Sequence, residues 1–168
     1  MPLTLQTSAF EQPRFQEVFS KKLVGMHVTT SITHNKTGVL WQSFMPRRAE
    51  ISGLNACLYS LQVYPAGYFL HFDPETEFEK WALVEVEGDA ILPQGMDEFN
   101  LPGGLYAVFN YKGSSADTRI FNYIFSEWLP ASSYVLDERP HFELLGEKYK
   151  NNDPASEEEI WIPVKPGM

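Results

Sequence analysis

Glu159, Trp161 and Pro163 alternate with Ile160, Ile162 and Val164 along the segment Glu157 to Val164, and a strand sends successive side chains to opposite faces. The isoleucines and the valine then share a face suited to packing under helices. On the other face a carboxylate stands beside an indole. Such a pair on a groove wall attracts a cation twice, through charge and through the π face of the ring, and both attractions strengthen where water is excluded. At a solvated strand end the same residues are only an acidic rim. A second carboxylate, Glu143, lies in His141-Phe142-Glu143-Leu144-Leu145, where it can point into a groove or out into water. Tyr106 and Trp81 are candidate aromatic walls for the same groove, or plain core.

Other site chemistries lack their patterns. His27, His34, His71 and His141 show no HExxH or HxH spacing and there is one cysteine, Cys57, so no metal site is expected. Asp73, Glu75, Glu77 and Glu79 alternate like a calcium loop, but Phe78 stands where an EF-hand needs glycine. There is no nucleophile elbow, P-loop or dinucleotide fingerprint, and no cofactor is expected.

The elements that must position these residues follow from periodicity and turn chemistry. Val24, Met26 and Val28 alternate with Gly25, His27 and Thr29, which predicts a strand within 15–30. Asn35 or Thr37 can cap a helix carrying Leu40, Trp41, Phe44 and Met45, ended or kinked by Pro46. Strands are expected at 58–64 and 80–86. The order then repeats: a strand over 105–111, a helix with the stripe Ile120, Phe121, Ile124, Phe125, Trp128 and Leu129 stopped by Pro130, and strands at 141–147 and 158–165. Both halves end in a Glu-x-Trp strand, Glu79-Lys80-Trp81 and Glu159-Ile160-Trp161. A duplicated β-α-β-β chain of the α+β class follows, with helices on one face of a joined antiparallel sheet and the other face free to curve into a central groove. One domain is expected over 15–168, with halves at about 15–88 and 97–165 and a flexible arm over 1–14.

A chain of 168 residues can bury a full core without staples, and its formal charge of -9 argues against direct nucleic-acid binding while favouring cationic ligands or simple solubility. Aromatic residues make up 14%, more than packing alone usually calls for, which points to a lined pocket. A lone cysteine, no signal-like N-terminus and no apolar run of spanning length predict a cytoplasmic protein with no membrane contact.

The runs Leu105 to Gly113, Tyr123 to Tyr134, Pro140 to Glu143 and Glu159 to Val164 resemble the GyrI-like small-molecule-binding family, which includes the effector-binding domains of AraC-type and MerR-type regulators. The resemblance implies a duplicated SHS2-type module whose groove accepts lipophilic, often cationic compounds. By position it makes Glu159 the groove glutamate and Glu143 the second acidic position, while Leu145 departs from the tyrosine common in relatives. The short polar segment before the domain leads to the expectation of a stand-alone member without a helix-turn-helix. Three functions are implied: sequestering or sensing a small lipophilic cation, with Trp161, Tyr106 and Trp81 as contacts; hydrolysis of cyclopropane-bearing genotoxins, with Glu159 or Glu143 in the chemistry; or interaction with a protein partner such as DNA gyrase.

Overall fold

The computed structural model describes residues 10–53, 57–89 and 91–167. Its elements run β1 (Arg14–Val18), β2 (Lys21–Thr30), α1 (Thr37–Phe44), β3 (Leu58–Val63), β4 (Phe78–Val86), β5 (Asp97–Leu101), β6 (Gly104–Lys112), α2 (Arg119–Tyr123), α3 (Leu129–Ala131), β7 (Tyr134–Leu136), β8 (His141–Leu145) and β9 (Glu157–Pro166). A 3-10 turn follows α1 at Met45–Glu50, and a π-helical turn, Ile124–Trp128, joins α2 to α3. The sheet order is β1-β6-β9-β8-β3-β4-β2-β5, with β7 on β9, and every ladder is antiparallel. Each half therefore lays its strands down in the same spatial order, β2-β4-β3 and β6-β9-β8, and the halves meet at the β3–β8 seam. This is the expected duplicated α+β sheet. No helix among the described residues is long and apolar enough to cross a membrane.

The lead strands close the sheet. Arg14 to Val18 pairs with Val108 to Gly104, and Lys21 to Gly25 pairs with Leu101 to Asp97, in one unbroken register. Together β1 and β2 form one long strand bent at Phe19-Ser20, which pairs along its length with β5 and β6, bent at Pro102-Gly103. The ladders thus return to their starting strand and the sheet has an inner and an outer face. Closure needs backbones in near contact. A Cβ on Gly25 would stand 1.8 Å from the carbonyl oxygen of Ala82, and one on Gly103 would stand 2.6 Å from that of Val18, so only glycine fits at either place.

Helices cover the outer face. Leu40 and Phe44, four residues apart on α1, are buried against Val24, Ala82 and Val84. Ile120 and Ile124 pack on Ala107, Phe109, Ile160 and Ile162. Trp128 is half-buried and meets Phe109 edge-on at 5.1 Å, while Tyr123, outside the expected stripe, is buried. Pro130 does not stop the helix where expected. It lies inside α3, and the π turn just before it accommodates a residue that lacks an N–H and crowds the carbonyl four positions back. Of the expected arm over 1–14, residues 10–14 lie against the domain. Residues 1–9 lie outside the described residues, but Phe10 packs on Tyr123 at 5.5 Å, Gln12 donates to the Tyr123 hydroxyl at 2.9 Å, and Arg14 begins β1.

Between the two helices the outer face carries a buried charged cluster. Lys80 Nζ lies 3.7 Å from Glu143 Oε1, and Gln62 Nε2 donates to both Glu143 oxygens at 3.3 and 3.1 Å. Burial pushes the Lys80 amine down and the Glu143 carboxyl up, and each is partly restored by the other's charge. Glu158 beside them is pushed up to about 7, by burial first and then by Glu143. Tyr64, Tyr68 and Phe69 cover the region, with Phe69 stacked on His141 and on Phe125 at 5.3 and 4.9 Å. Burial, aided by Arg139, depresses His141 to about 3.

Four substitutions test this account. Gly25→Ala should lower the unfolding free energy in urea by about 3 kcal/mol or more, because the contact it creates is with backbone; a loss under about 1 kcal/mol would mean that the sheet does not close tightly here. Glu143→Leu should cost about 3–5 kcal/mol by stranding Lys80, whereas Lys80→Met with Glu143→Leu should recover most of that. Because folding raises the Glu158 pKa, the native state takes up a proton between the ordinary carboxylate value and about 7, and stability falls as pH rises through that window. Glu158→Gln should therefore be more stable than the wild type at pH 8, by on the order of 1–3 kcal/mol, and equal to it by about pH 4. The comparison cancels the opposite, acid-side contribution of His141, and equal unfolding curves at pH 8 would show that Glu158 carries no such penalty.

Candidate functional site

A single row of inner-face residues crosses the whole sheet. Arg14 pairs with Val108, Val108 with Trp161, Trp161 with Phe142, Phe142 with Leu61, Leu61 with Trp81, and Trp81 with His27. The row is nearly palindromic about the β3–β8 seam: apolar residues at the centre, a tryptophan on either side and a basic residue at each end, with Val108 standing between Trp161 and Arg14. Alternation fixes the face. With Trp161 inward, Glu159 and Pro163 are inward too, and Ile160, Ile162 and Val164 lie under the second helix, as the strand pattern requires.

Aromatic contacts fill the inner face. Phe142 stacks on Trp161 at 5.2 Å, and Tyr106 meets the two rings edge-on at 5.3 and 5.7 Å. Trp81 stacks on the His27 imidazole at 4.2 Å and meets Phe99 edge-on at 4.9 Å. Tyr106 is completely buried; its hydroxyl donates to the Pro140 carbonyl at 3.4 Å and is pushed up to about 12, by burial against the opposing Arg139 guanidinium. It is therefore a neutral wall. Tyr59 donates to Glu85 Oε1 at 3.1 Å, and its hydroxyl is pushed up by burial and then by that carboxylate.

Both tryptophans anchor a carboxylate two residues earlier on the same strand. Trp161 Nε1 donates to Glu159 Oε1 at 3.1 Å, and Trp81 Nε1 donates to Glu79 Oε1 at 3.0 Å. The corners differ in the basic residue they hold. At Glu159 the Arg14 guanidinium donates to Oε2 at 3.0 Å, lies 5.9 Å from the Trp161 ring centre and reaches the Asn110 amide oxygen at 3.3 Å. In the first half His27 lies on Trp81 and pairs with Asp97 at 3.2 Å.

The structure brings Glu159, Trp161 and Tyr106 together in the second half and sets Trp81 in the equivalent first-half position. Glu143 is not among them. It faces outward on β8, opposite to Phe142, and is neither in a groove with Glu159 nor in water, because Lys80 and Gln62 enclose it. Leu145 shares that outer face and packs under α1. Surface recesses lie elsewhere, one at Met45, Arg48 and Ile51 and another at Thr30, His34 and Glu75. Among the described residues no group of His, Cys, Asp and Glu could hold a metal. Sequence reasoning noted Glu79 in the repeated Glu-x-Trp spacing but did not make it a site residue, and it passed over Arg14, for which no local signal exists.

Residues 11–165 match the model of the GyrI-like small molecule binding domain. The transcriptional regulator BrlR of Pseudomonas aeruginosa is 29% identical over 156 residues, which is 92% of this chain and 53% of the regulator. A DNA gyrase inhibitor of Erwinia billingiae is 34% identical over 98 residues, 54% of this chain and 61% of the inhibitor. The chain thus spans between half and two thirds of the length of these relatives. Among solved structures, SAV2435 bound to tetraphenylphosphonium superposes with a TM-score of 0.69 at 18% identity, covering 92% of this chain and 94% of that one. The C-terminal domain of EcmrR gives 0.68 at 9% over 95% and 99%, and a hydrolase encoded by lin2189 from Listeria innocua gives 0.57 at 10% over 96% of each. The sequence match over nearly the whole chain, on a duplicated antiparallel sheet with helices outside, makes this chain a member of the GyrI-like small-molecule-binding family.

Proposed function

We propose that the corner of the inner face binds a small lipophilic organic cation, with Glu159 as counter-charge, Trp161 as the aromatic contact and Tyr106 packed behind it. The observation that carries this reading is the Glu159–Trp161 corner. There a carboxylate fixed by an indole N–H stands against a wall of stacked rings at the partly exposed end of a largely aromatic face. A lipophilic cation matches both parts, because its charge meets the carboxylate while its hydrocarbon covers the rings. Two further facts support it: the net charge of -9, which concentrates cations near the protein, and a similarly folded protein that holds tetraphenylphosphonium. Within a longer regulator, as in BrlR, such a domain would sense the cation; by itself it would sequester it.

Hydrolysis of a strained electrophile is less well supported. Either Glu159 or Glu143 would have to act on the substrate, and Glu143 lies beneath the sheet, enclosed by Lys80 and Gln62, while both Glu159 oxygens already accept hydrogen bonds. A gyrase partner rests on the Erwinia relative, and no surface among the described residues argues for it.

Glu159→Gln keeps the size and one of the two acceptor oxygens but removes the charge. Calorimetry should show tetraphenylphosphonium affinity falling by about 1–3 kcal/mol, with the neutral analogue triphenylphosphine oxide nearly unchanged. Equal loss for both compounds would mean that Glu159 acts through structure. Loss for neither would remove it from the site.

A further inference from the structure

The Glu159–Trp161 corner already contains a cation. Arg14 Nη2 is 3.0 Å from Glu159 Oε2, its guanidinium carbon is 5.9 Å from the Trp161 ring centre, and Nη1 reaches Asn110 Oδ1 at 3.3 Å. These are the same two attractions, charge and ring face, that the corner offers to a ligand. We propose that Arg14 is a tethered occupant of the cation seat, and that a bound cation takes the seat by displacing it.

This inference rests on the cation-binding reading above and adds the chain's own competitor to it. Four features of the structure fit an exchangeable occupant. The inner face behind the corner is filled, with Trp161 and Phe142 stacked and Tyr106 fully buried, so the guanidinium's own volume is the room most readily vacated. The Arg14 side chain is 45% exposed and that of Glu159 31%, so water can reach the contact and the pair is held only as strongly as a surface ion pair. Arg14 lies on β1, which pairs with β6 alone and forms one end of the strand order. Its long side chain can swing away while the backbone ladder to Val108 stays intact. When it leaves, its guanidinium passes into water and the Glu159 carboxylate keeps the Trp161 N–H.

The consequence is that every cation pays the same displacement cost whatever its structure, since that cost belongs to the protein. Arg14→Met keeps the aliphatic stem and the β1 ladder while removing the competitor. Titration calorimetry with tetraphenylphosphonium, benzamidinium and neutral triphenylphosphine oxide should compare the wild type, Arg14→Met, Glu159→Gln and the double variant. Both cations should bind Arg14→Met about 3- to 10-fold more tightly than the wild type, by the same factor. The neutral compound should be unaffected, and in the Glu159→Gln background the gain should vanish.

Other outcomes overturn the proposal in distinguishable ways. Unchanged or weaker cation binding by Arg14→Met would show that Arg14 does not occupy the seat, leaving the cation-binding reading intact. A gain shared by the neutral compound would mean that the substitution only opens space. A gain that survives Glu159→Gln would reflect the overall field of the protein rather than this corner. Failure of both cations to bind any of the four proteins would sink the cation-binding reading, and the displacement with it.

Discussion

The closure of the sheet by its two bent strands governs everything else in this structure. An antiparallel ladder that runs in one register from Arg14 to Gly25 on one strand, and from Val108 to Asp97 on the other, fixes which side chains face inward. A slip of one residue would turn Trp81, Trp161 and Tyr106 out under the helices and bring the isoleucines of β9 in. Gly103 allows that register because a Cβ there would meet the Val18 carbonyl, and Gly25 allows the neighbouring β2–β4 ladder because a Cβ there would meet the Ala82 carbonyl. The row from Arg14 through the two tryptophans to His27 is the direct product of this constraint.

Closure also separates two polar chemistries that the sequence places close together. Glu158 and Glu159 are adjacent, yet one lies over the buried Lys80–Glu143 pair and the other at the aromatic corner. The outer cluster spans the seam between the halves: Glu143 on β8 meets Gln62 on β3 and Lys80 on β4. A buried pair of this kind contributes little net stability, but breaking it is costly, so its main effect is to penalise alternative registers across the seam. The inner carboxylates stand where water still reaches, and there they remain available for an exchangeable partner.

Much of this was legible in the sequence, and the exceptions have physical causes. Alternation around Ile160 and Ile162 assigned the faces of β9, and the repeated Glu-x-Trp spacing revealed the duplication, because both depend only on local period. Alternation from Phe142 also puts Glu143 on the face opposite to Trp161, but its two candidate destinations were a groove and water; a third, a lysine contributed by another strand, needs tertiary information. β5 and β1 are short, polar and mostly exposed, so they lack an apolar period and are stabilised by pairing with each other's continuation. The aromatic excess suggested one lined pocket. In fact it is divided between the inner face and the Tyr64–Tyr68–Phe69 cover over the outer cluster, a division that composition cannot express.

Duplication gave the two halves the same indole–carboxylate corner but not the same occupant, and the difference follows from where each basic residue is attached. His27 sits on β2 directly across the ladder from Trp81, with its ring 4.2 Å away, so it is part of the strand pair that builds its corner. Arg14 is one strand further from its tryptophan, beyond Val108, and reaches the corner only through a long side chain from the end of the sheet. A short side chain directly across the ladder from its ring has few alternative positions, whereas a long one reaching past an intervening strand has many and gains entropy when released. The same fold therefore makes one corner fixed and the other exchangeable, and the exchangeable one is the corner that carries Glu159.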